Sequence, residues 1–511
     1  MLNNNSFFKA LGQILLFVLM LSQYSDAQNR NSVWVFGDSS LVDFGNAGSP
    51  VTGVSGMDGR GSCVSISDTS GSLLFYAFTR ATIFGNSGLV YNKQHELMVN
   101  GDDILGQGWY NEMVILPSPN NSNQYYLFSI GVTNSSDYGL FYSVIDMSLD
   151  GGLGAVTQKK IMLDSVPAVD CLKAIKHGNG RDWWLLFRKW DPTGLTANKR
   201  YYKYLIDPTG VALNNSEAIG STITTNAAQI AVSSDGSKIA FINRKGVINI
   251  MNFDRCTGDL SQVNILQEES SNLSVGLYFT AEFSPNGQFL YVTRIDTVSI
   301  LLQYDLSQPN PTLSRDTIYT FTNSYYTTGT LRLAPDNKIY LSNAWAYGYQ
   351  WNYPYQDSAY TFVNMNLSVI NDPDQPGSAC NFQPYSFSLG GKRTYWGLPN
   401  NPDYELPSVA GSPCDTLVGM NEFPVQETHP NLFVYYSPQW QTAFINANQL
   451  SGTSGKLQVF DASGKLVFEE STKINPPYYT KNLNCTSFAK GIYVVTLESD
   501  EQQLVRKFVV E

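Results

Sequence analysis

A hairpin that recurs about every fifty residues constrains this chain more than any other feature. Ser65-Ile66-Ser67 leads through Asp68 to Gly71 into Leu73-Leu74-Phe75-Tyr76. Ile230-Ala231-Val232 turns at Asp235-Gly236 into Ile239-Ala240-Phe241-Ile242, and Ala281-Glu282-Phe283 turns at Asn286-Gly287 into Phe289-Leu290-Tyr291-Val292. Asp-Gly and Asn-Gly between such runs mark tight hairpins, because the turn demands positive φ angles that Gly and Asn tolerate. Further copies turn at Asn120-Asn121-Ser122, at His177 to Gly180 and at Asp336-Asn337; in the last, Phe387-Ser388-Leu389 turns at Gly390-Gly391 into Tyr395-Trp396. From Gly71 through Ser122, Gly180, Gly236, Gly287, Asn337 and Gly391 the steps are 51, 58, 56, 51, 50 and 54 residues.

Four strands and their turns occupy about that length, as in propeller blades of roughly 40–50 residues. A sheet of this size cannot bury both faces alone, so such units stack radially and ring closure protects their edges. The pattern therefore predicts an all-β chain whose residues 28–402 form a seven-bladed β-propeller of WD-repeat or YVTN-like blades. Val33-Trp34-Val35-Phe36 is expected to close the ring by pairing with the last blade. Separate sandwiches would need linkers, and no Pro/Gly/Ser-rich break precedes residue 402 or so.

Pro407, Pro413, Pro424 and Pro430 then punctuate residues 403–430, which read as a linker. Residues 431–511 carry short strands at close spacing, with Ala462-Ser463-Gly464 as a hairpin turn, and read as a small immunoglobulin-like β-sandwich. At the other end Lys9 precedes an apolar run that closes at Ser25-Asp26-Ala27, the layout of a signal peptide over residues 1–27 cleaved between Ala27 and Gln28. That run is shorter than the roughly 20 residues a membrane span needs, and no later stretch is expected to anchor the chain.

Cleavage would remove Lys9 and Asp26 and leave the net charge at -11, which argues against nucleic acid as a partner. Six scattered cysteines admit 15 pairings, and no spacing selects one.

Lys456-Leu457-Gln458-Val459-Phe460-Asp461, Gly464-Lys465-Leu466-Val467, Lys490-Gly491-Ile492-Tyr493-Val494-Val495 and Lys507-Phe508-Val509-Val510-Glu511 resemble the type A C-terminal sorting domain of the type IX secretion system of Bacteroidota. Tyr435-Tyr436-Ser437-Pro438 stands where that family has a Pro-Asn-Pro opening. The resemblance implies that Gly491, Ile492, Tyr493, Lys507 and Phe508 belong to the sorting signal, that the type IX machinery is a partner, and that the mature protein reaches the outer cell surface or the medium. The propeller resembles secreted propellers that precede this domain in such bacteria, on Trp34-Val35-Phe36-Gly37, Phe253-Asp254-Arg255-Cys256-Thr257-Gly258 and Gly397-Leu398-Pro399-Asn400 among others. No chemistry is attached to those residues.

Catalytic signatures are missing from the sequence: there is no GxSxG elbow, phosphate-cradling glycine loop or HExxH pair. His177 falls in a turn, His95 fits a structural role, and Asn371-Asp372-Pro373-Asp374 lacks calcium-loop spacing. No catalytic, cofactor or metal residue is assigned. Trp345, Tyr347, Tyr349, Trp351, Tyr353 and Tyr355 alternate without a break, so an extended segment would present all six on one face, suited to stacking on sugar rings. The expectation is a surface or secreted binding and adhesion module, with an extracellular glycan or surface polysaccharide as ligand. The alternative is a propeller hydrolase or lactonase-like enzyme, since the fold does not choose between them.

Overall fold

The computed structural model describes residues 29–511 apart from 46–48, 81–87, 133–136, 166, 191–197, 271–276, 296–297, 323–325, 346–359, 416–430, 438–440, 449, 475–477, 500–501 and 511. The chain divides into two compact units, Met1–Val418 and Gly419–Glu511.

In the first unit the hairpin repeat builds sheets of antiparallel strands in sequential order. The fifth sheet is representative, with strands Ala228–Val232, Lys238–Asn243, Ile248–Phe253 and Leu260–Gln267. Its first turn works as the sequence requires: Gly236 sits at φ 71° and donates its N–H to Ser233 O at 2.8 Å, while Asp235 Oδ1 accepts from Ser237 N at 3.0 Å. The inner strands are buried on both faces and the outermost is largely exposed, which is why the inner ones read as mostly apolar runs.

Seven such sheets occur among the described residues of this unit, five of four strands and the first two of three. Each buries its apolar faces against its neighbours. One core joins the second, third and fourth sheets through Phe75, Leu127 and Phe187. Trp184 and Tyr201 of the fourth meet Phe241 and Met251 of the fifth. Ile242 of the fifth meets Phe283 of the sixth, and Tyr291 of the sixth meets Leu331 and Ile339 of the seventh. Tyr340 and Leu367 of the seventh pack with Trp34, Phe36 and Val42 of the first and Tyr76 of the second. The circle is complete, and the fold is a seven-bladed propeller.

Its closure differs from the expectation. Val33–Phe36 pairs within its own sheet with Asp38–Asp43, Trp34 opposite Val42, and not with the last blade. Inside it lies the far end of the ring. Arg393 O accepts from Asp38 N at 3.0 Å and Ser40 Oγ at 2.9 Å, and Asn401 Nδ2 donates to Asn31 Oδ1 at 2.7 Å. On its flanks, Thr330 N donates to Trp396 O at 2.8 Å and Asn400 N to Cys63 O at 2.8 Å. Residues 393–401 thus stand between the inner strands of the seventh and second sheets, Tyr326–Leu333 and Cys63–Ser67, where a fourth strand of the first sheet would be.

The presumed seventh copy is also corrected: Phe387 belongs to the outermost strand of the seventh sheet, Phe382–Ser388, and Tyr395-Trp396 lies in no strand. The first sheet, Val33–Asp58, makes up the seven.

Residues 402–415, read as the start of a linker, are packed on the propeller. Tyr404 is buried beside Trp183, with ring centroids 5.9 Å apart, and Leu406 joins the core between the fourth and fifth sheets. Arg255 Nη2 donates to Pro407 O at 2.6 Å, Val409 N to Gly178 O at 2.7 Å, and Cys414 is bonded to Cys256. Pro-rich composition ended the strand pattern here without ending the packing. Cys63, Cys171, Cys380 and Cys485 are buried thiols.

The second unit is a sandwich of two sheets. One holds Asn431–Ser437, Thr442–Asn448 and Tyr478–Asn484, and the other Leu466–Lys473, Ser454–Asp461, Gly491–Ser499 and Gln503–Val510 in that spatial order. Leu432, Ile445, Val459, Tyr493, Val495 and Phe508 fill the space between them.

Candidate ligand-binding mouth of the propeller

Every blade from the second to the seventh starts its inner strand at the same end of the axis, and the segments leading into those strands are tied one to the next. Ser62 N donates to Trp109 O at 2.6 Å, Leu172 N to Asn111 O at 3.1 Å, Asp170 N to Asn226 O at 2.8 Å and Ala281 N to Gln229 Oε1 at 2.7 Å. Trp396 N closes on Arg60 O at 3.2 Å. Residues far apart in sequence are thereby gathered at one mouth.

Below the mouth the axis is filled. Asn400 donates through Nδ2 to Met113 O at 3.1 Å and Leu172 O at 2.9 Å, and its Oδ1 accepts from Lys173 Nζ and Arg332 Nη2, each at 3.3 Å. Arg332 also donates to Asn111 Oδ1 at 2.9 Å and Pro399 O at 3.1 Å. One asparagine, supplied by the closing segment, thus bridges inner strands on three sides of the channel. Burial pushes Glu282 above the usual carboxylate range and Lys173 below the usual ammonium range, while the Arg332 charge pulls Glu282 back down.

Two further carboxylates stand nearer the mouth, both held by backbone amides. Glu112 accepts three backbone N–H groups, from Gln107 at 2.9 Å, Gly108 at 3.1 Å and Trp109 at 3.0 Å. Asp170 accepts from Tyr110 N at 3.1 Å and Asn111 N at 2.7 Å. Burial pushes Glu112 up to about 8, aided by the Asp170 charge and opposed by the amide donors, and pushes Asp170 up to about 7. These acids shape the loops that carry the surface residues.

At the mouth Tyr110, Phe279 and Trp396 form a triangle of rings, with centroids 5.0 Å (Tyr110 to Phe279), 5.8 Å (Tyr110 to Trp396) and 5.3 Å (Phe279 to Trp396) apart. Trp109 adds a fourth ring 6.3 Å from Tyr110. Trp396 is buried and Trp109, Tyr110 and Phe279 are half-buried, so the part of the cluster left open combines apolar ring surface with polar rims, the chemistry that suits a sugar ring or a partner's aromatic side chain. Sequence reasoning missed these residues because they come from three unconnected segments. The signal was there in Trp109-Tyr110, which directly precedes an inner strand.

Of the six alternating aromatics, Trp345 ends the strand Ile339–Trp345 opposite Tyr326, at the mouth end of the seventh sheet. Tyr347, Tyr349, Trp351, Tyr353 and Tyr355 lie outside the described residues, as do Ala27 and Gln28. His177 is part of its turn: Nδ1 accepts from Asn179 N at 3.0 Å and Nε2 lies 3.0 Å from Cys256 O. His95 Nδ1 lies 3.2 Å from Tyr76 OH. Burial holds both imidazoles below their ordinary pKa. Asp372 and Asp374 cap loops, accepting from Asn381 Nδ2 and Asn286 N.

In the second unit Gly491, Ile492 and Tyr493 open one strand and Lys507 and Phe508 lie on its neighbour, Tyr493 opposite Phe508 and Ile492 opposite Val509. Tyr493 and Phe508 are each 5% exposed and stacked at 5.6 Å, whereas Ile492 is 52% exposed. Two of the five residues therefore form the core, and Gly491, Ile492 and Lys507 are on the surface.

Residues 434–511 match the family described as secretion system C-terminal sorting domain. The chain thus carries a type IX sorting domain and is exported to the cell surface or secreted. No curated protein matches it. Among solved structures it is similar to a putative 6-phosphogluconolactonase from Bacteroides fragilis, at 12% identity over 72% of this chain and 98% of that one, TM-score 0.43. It is also similar to the Pseudomonas aeruginosa periplasmic gluconolactonase PpgL, at 10% identity over 83% and 100%, TM-score 0.36. A third is the Cps50 (Swd1) β-propeller domain of Myceliophteria thermophila, at 13% identity over 61% and 93%, TM-score 0.32.

Proposed function

We propose that this exported protein is a binding and adhesion module whose propeller holds an extracellular glycan or surface polysaccharide at its mouth. In this reading residues 1–27 are a signal peptide removed before Gln28, residues 28–402 with the strap behind them form the binding unit, and residues 431–511 address it to the type IX machinery. The observation that carries the proposal is the state of the axis. The channel, the usual place for a ligand in a closed ring, is occupied by Asn400 and its partners. What remains at that end includes the rings of Tyr110, Phe279 and Trp396 beside the charges of Arg60 and Arg244, with Trp345 at the same end of the seventh sheet. Hydrolysis would call for a free acid or base there, and Glu112 and Asp170 are already held by backbone donors.

The test is a titration of the secreted protein against the producing cell's own surface polysaccharide. Phe279→Ala, and separately Trp345→Ala with Trp351→Ala, are each expected to weaken binding at least tenfold, about 1.4 kcal/mol, with an unchanged thermal transition. Undiminished binding by both variants removes the proposal. Deleting residues 431–511 is expected to trap the propeller inside the cell.

A further inference from the structure

Among the described residues, the buried cations of the propeller are, with one exception, well supplied with acceptors. Lys203 has Glu217 at 3.0 Å and Gly258 O at 2.7 Å. Arg332 has four oxygen acceptors and the Glu282 charge. Arg255 uses all three guanidinium nitrogens on backbone carbonyls. Arg188, 0% exposed between the fourth and fifth sheets, is different. Its Nη2 donates to Asn198 O at 2.7 Å and Ser221 O at 3.1 Å, but Nε and Nη1 find no acceptor in good geometry, the neighbouring Tyr201 hydroxyl being the nearest candidate, and no carboxylate lies within ion-pair distance among the described residues.

The surroundings of Arg188 repeat the imbalance. Its guanidinium carbon lies 4.8 Å from the Tyr201 ring centroid and 4.5 Å from that of Phe241. Those two rings are themselves only 5.9 Å apart, so they cannot sandwich the guanidinium between opposite faces. Ser221, whose carbonyl holds Arg188, donates its hydroxyl to Asn249 Oδ1 at 2.9 Å, which leaves Asn249 Nδ2 unpartnered as well. Tyr201 OH stands beside the guanidinium, where its lone pair faces Arg188 and its own O–H proton finds no acceptor. The unpartnered atoms are thus N–H and O–H groups around an unneutralised positive charge, which a buried site tolerates only if something negative accepts from them.

We propose that Arg188, Asn249 and Tyr201 form a buried site for a small monovalent anion, chloride in the first instance. The anion accepts from Arg188 and Asn249 Nδ2, neutralises the guanidinium, and ties the fourth sheet to the fifth. It is a structural ligand, independent of whatever the mouth binds.

The full-length protein melted in chloride, bromide or gluconate at equal ionic strength supplies the test. Chloride and bromide are expected to raise the propeller transition saturably over gluconate, by about 2 °C at concentrations well above the dissociation constant. Asn249→Asp places a negative charge beside Arg188 while keeping the acceptor for Ser221, so it should melt in gluconate at least as high as the wild type does in chloride and lose the halide effect. Arg188→Met should lose the effect too, at a lower transition temperature. Bromide-soaked crystals should show an anomalous peak beside Arg188. A wild-type transition indifferent to the anion, a halide response that survives in Asn249→Asp, or a bromide peak elsewhere only would each overturn the site.

Discussion

Replacing both Cys256 and Cys414 by serine removes a bond that spans 158 residues of sequence. A cross-link over a loop of that length takes about 17 cal/mol/K from the unfolded chain, or about 5 kcal/mol at 25 °C. The folded strap keeps its other holds: Tyr404 OH on Ile115 O at 2.9 Å, Lys176 Nζ on Tyr404 O at 2.9 Å, and Arg255 on Pro407 O at 2.6 Å. The loss should therefore act through the unfolded state and leave the native packing in place. With roughly 2 cal/mol/K of unfolding entropy per residue, a unit of this size has about 0.8 kcal/mol/K in all, so the transition should fall by about 6 °C. Calorimetry of the full chain, oxidised and in the double-serine variant, reads this directly, and the sorting domain's transition serves as an internal reference. A fall below about 1 °C refutes the magnitude. New protease cleavage within residues 402–414 under native conditions refutes the reasoning, because it would mean that the bond holds the folded strap and not only the unfolded chain.

Other consequences are as direct. Asn400→Ala strands the carbonyls of Met113 and Leu172 and takes an acceptor from two buried cations, so it should cost about 3–5 kcal/mol in urea unfolding. In the sorting domain Phe508→Ala should cost about 3–5 kcal/mol and abolish export by unfolding the sandwich, whereas Ile492→Ala should stay within about 0.5 kcal/mol, so that any export defect reports recognition. Glu112 and Asp170 have folded pKa values of about 8 and 7 against ordinary values of 4.5 and 3.8. Raised acids hold protons that the unfolded chain releases, so their stabilising contribution is full below about pH 4 and is lost as pH climbs to about 8. Urea midpoints of the propeller should fall across that window, and a flat profile would show that both carboxylates are solvated.

The repeat was legible because hairpin turns are local chemistry. Gly71, Gly180, Gly236, Gly287 and Asn337 all adopt the positive φ that their positions implied. The first sheet was not legible as a blade, since its inner position is filled from residues 393–401 and its short strand Val33–Phe36, which turns at Gly37 into Asp38–Asp43, reads equally well as the strand that closes the last blade. Gly390-Gly391 imitated a blade turn because any exit from an outer strand also favours glycine. The strap escaped notice for a related reason: Tyr404 and Leu406 anchor an irregular segment, and two anchors make no period. The mouth was the least legible part. Tyr110, Phe279 and Trp396 become neighbours only when the circle closes, so nothing along the chain could announce them.

Because Arg393 meets Asp38 across 355 residues, the circle waits for its own far end. Contacts of such sequence separation form late, after the loop entropy between them has been overcome. Until residues 393–401 arrive, the first sheet lacks the segment that joins it to the seventh and second, and the ring stays open. Only with these last propeller residues in place can it lock, and they lie just ahead of the sorting domain in the sequence.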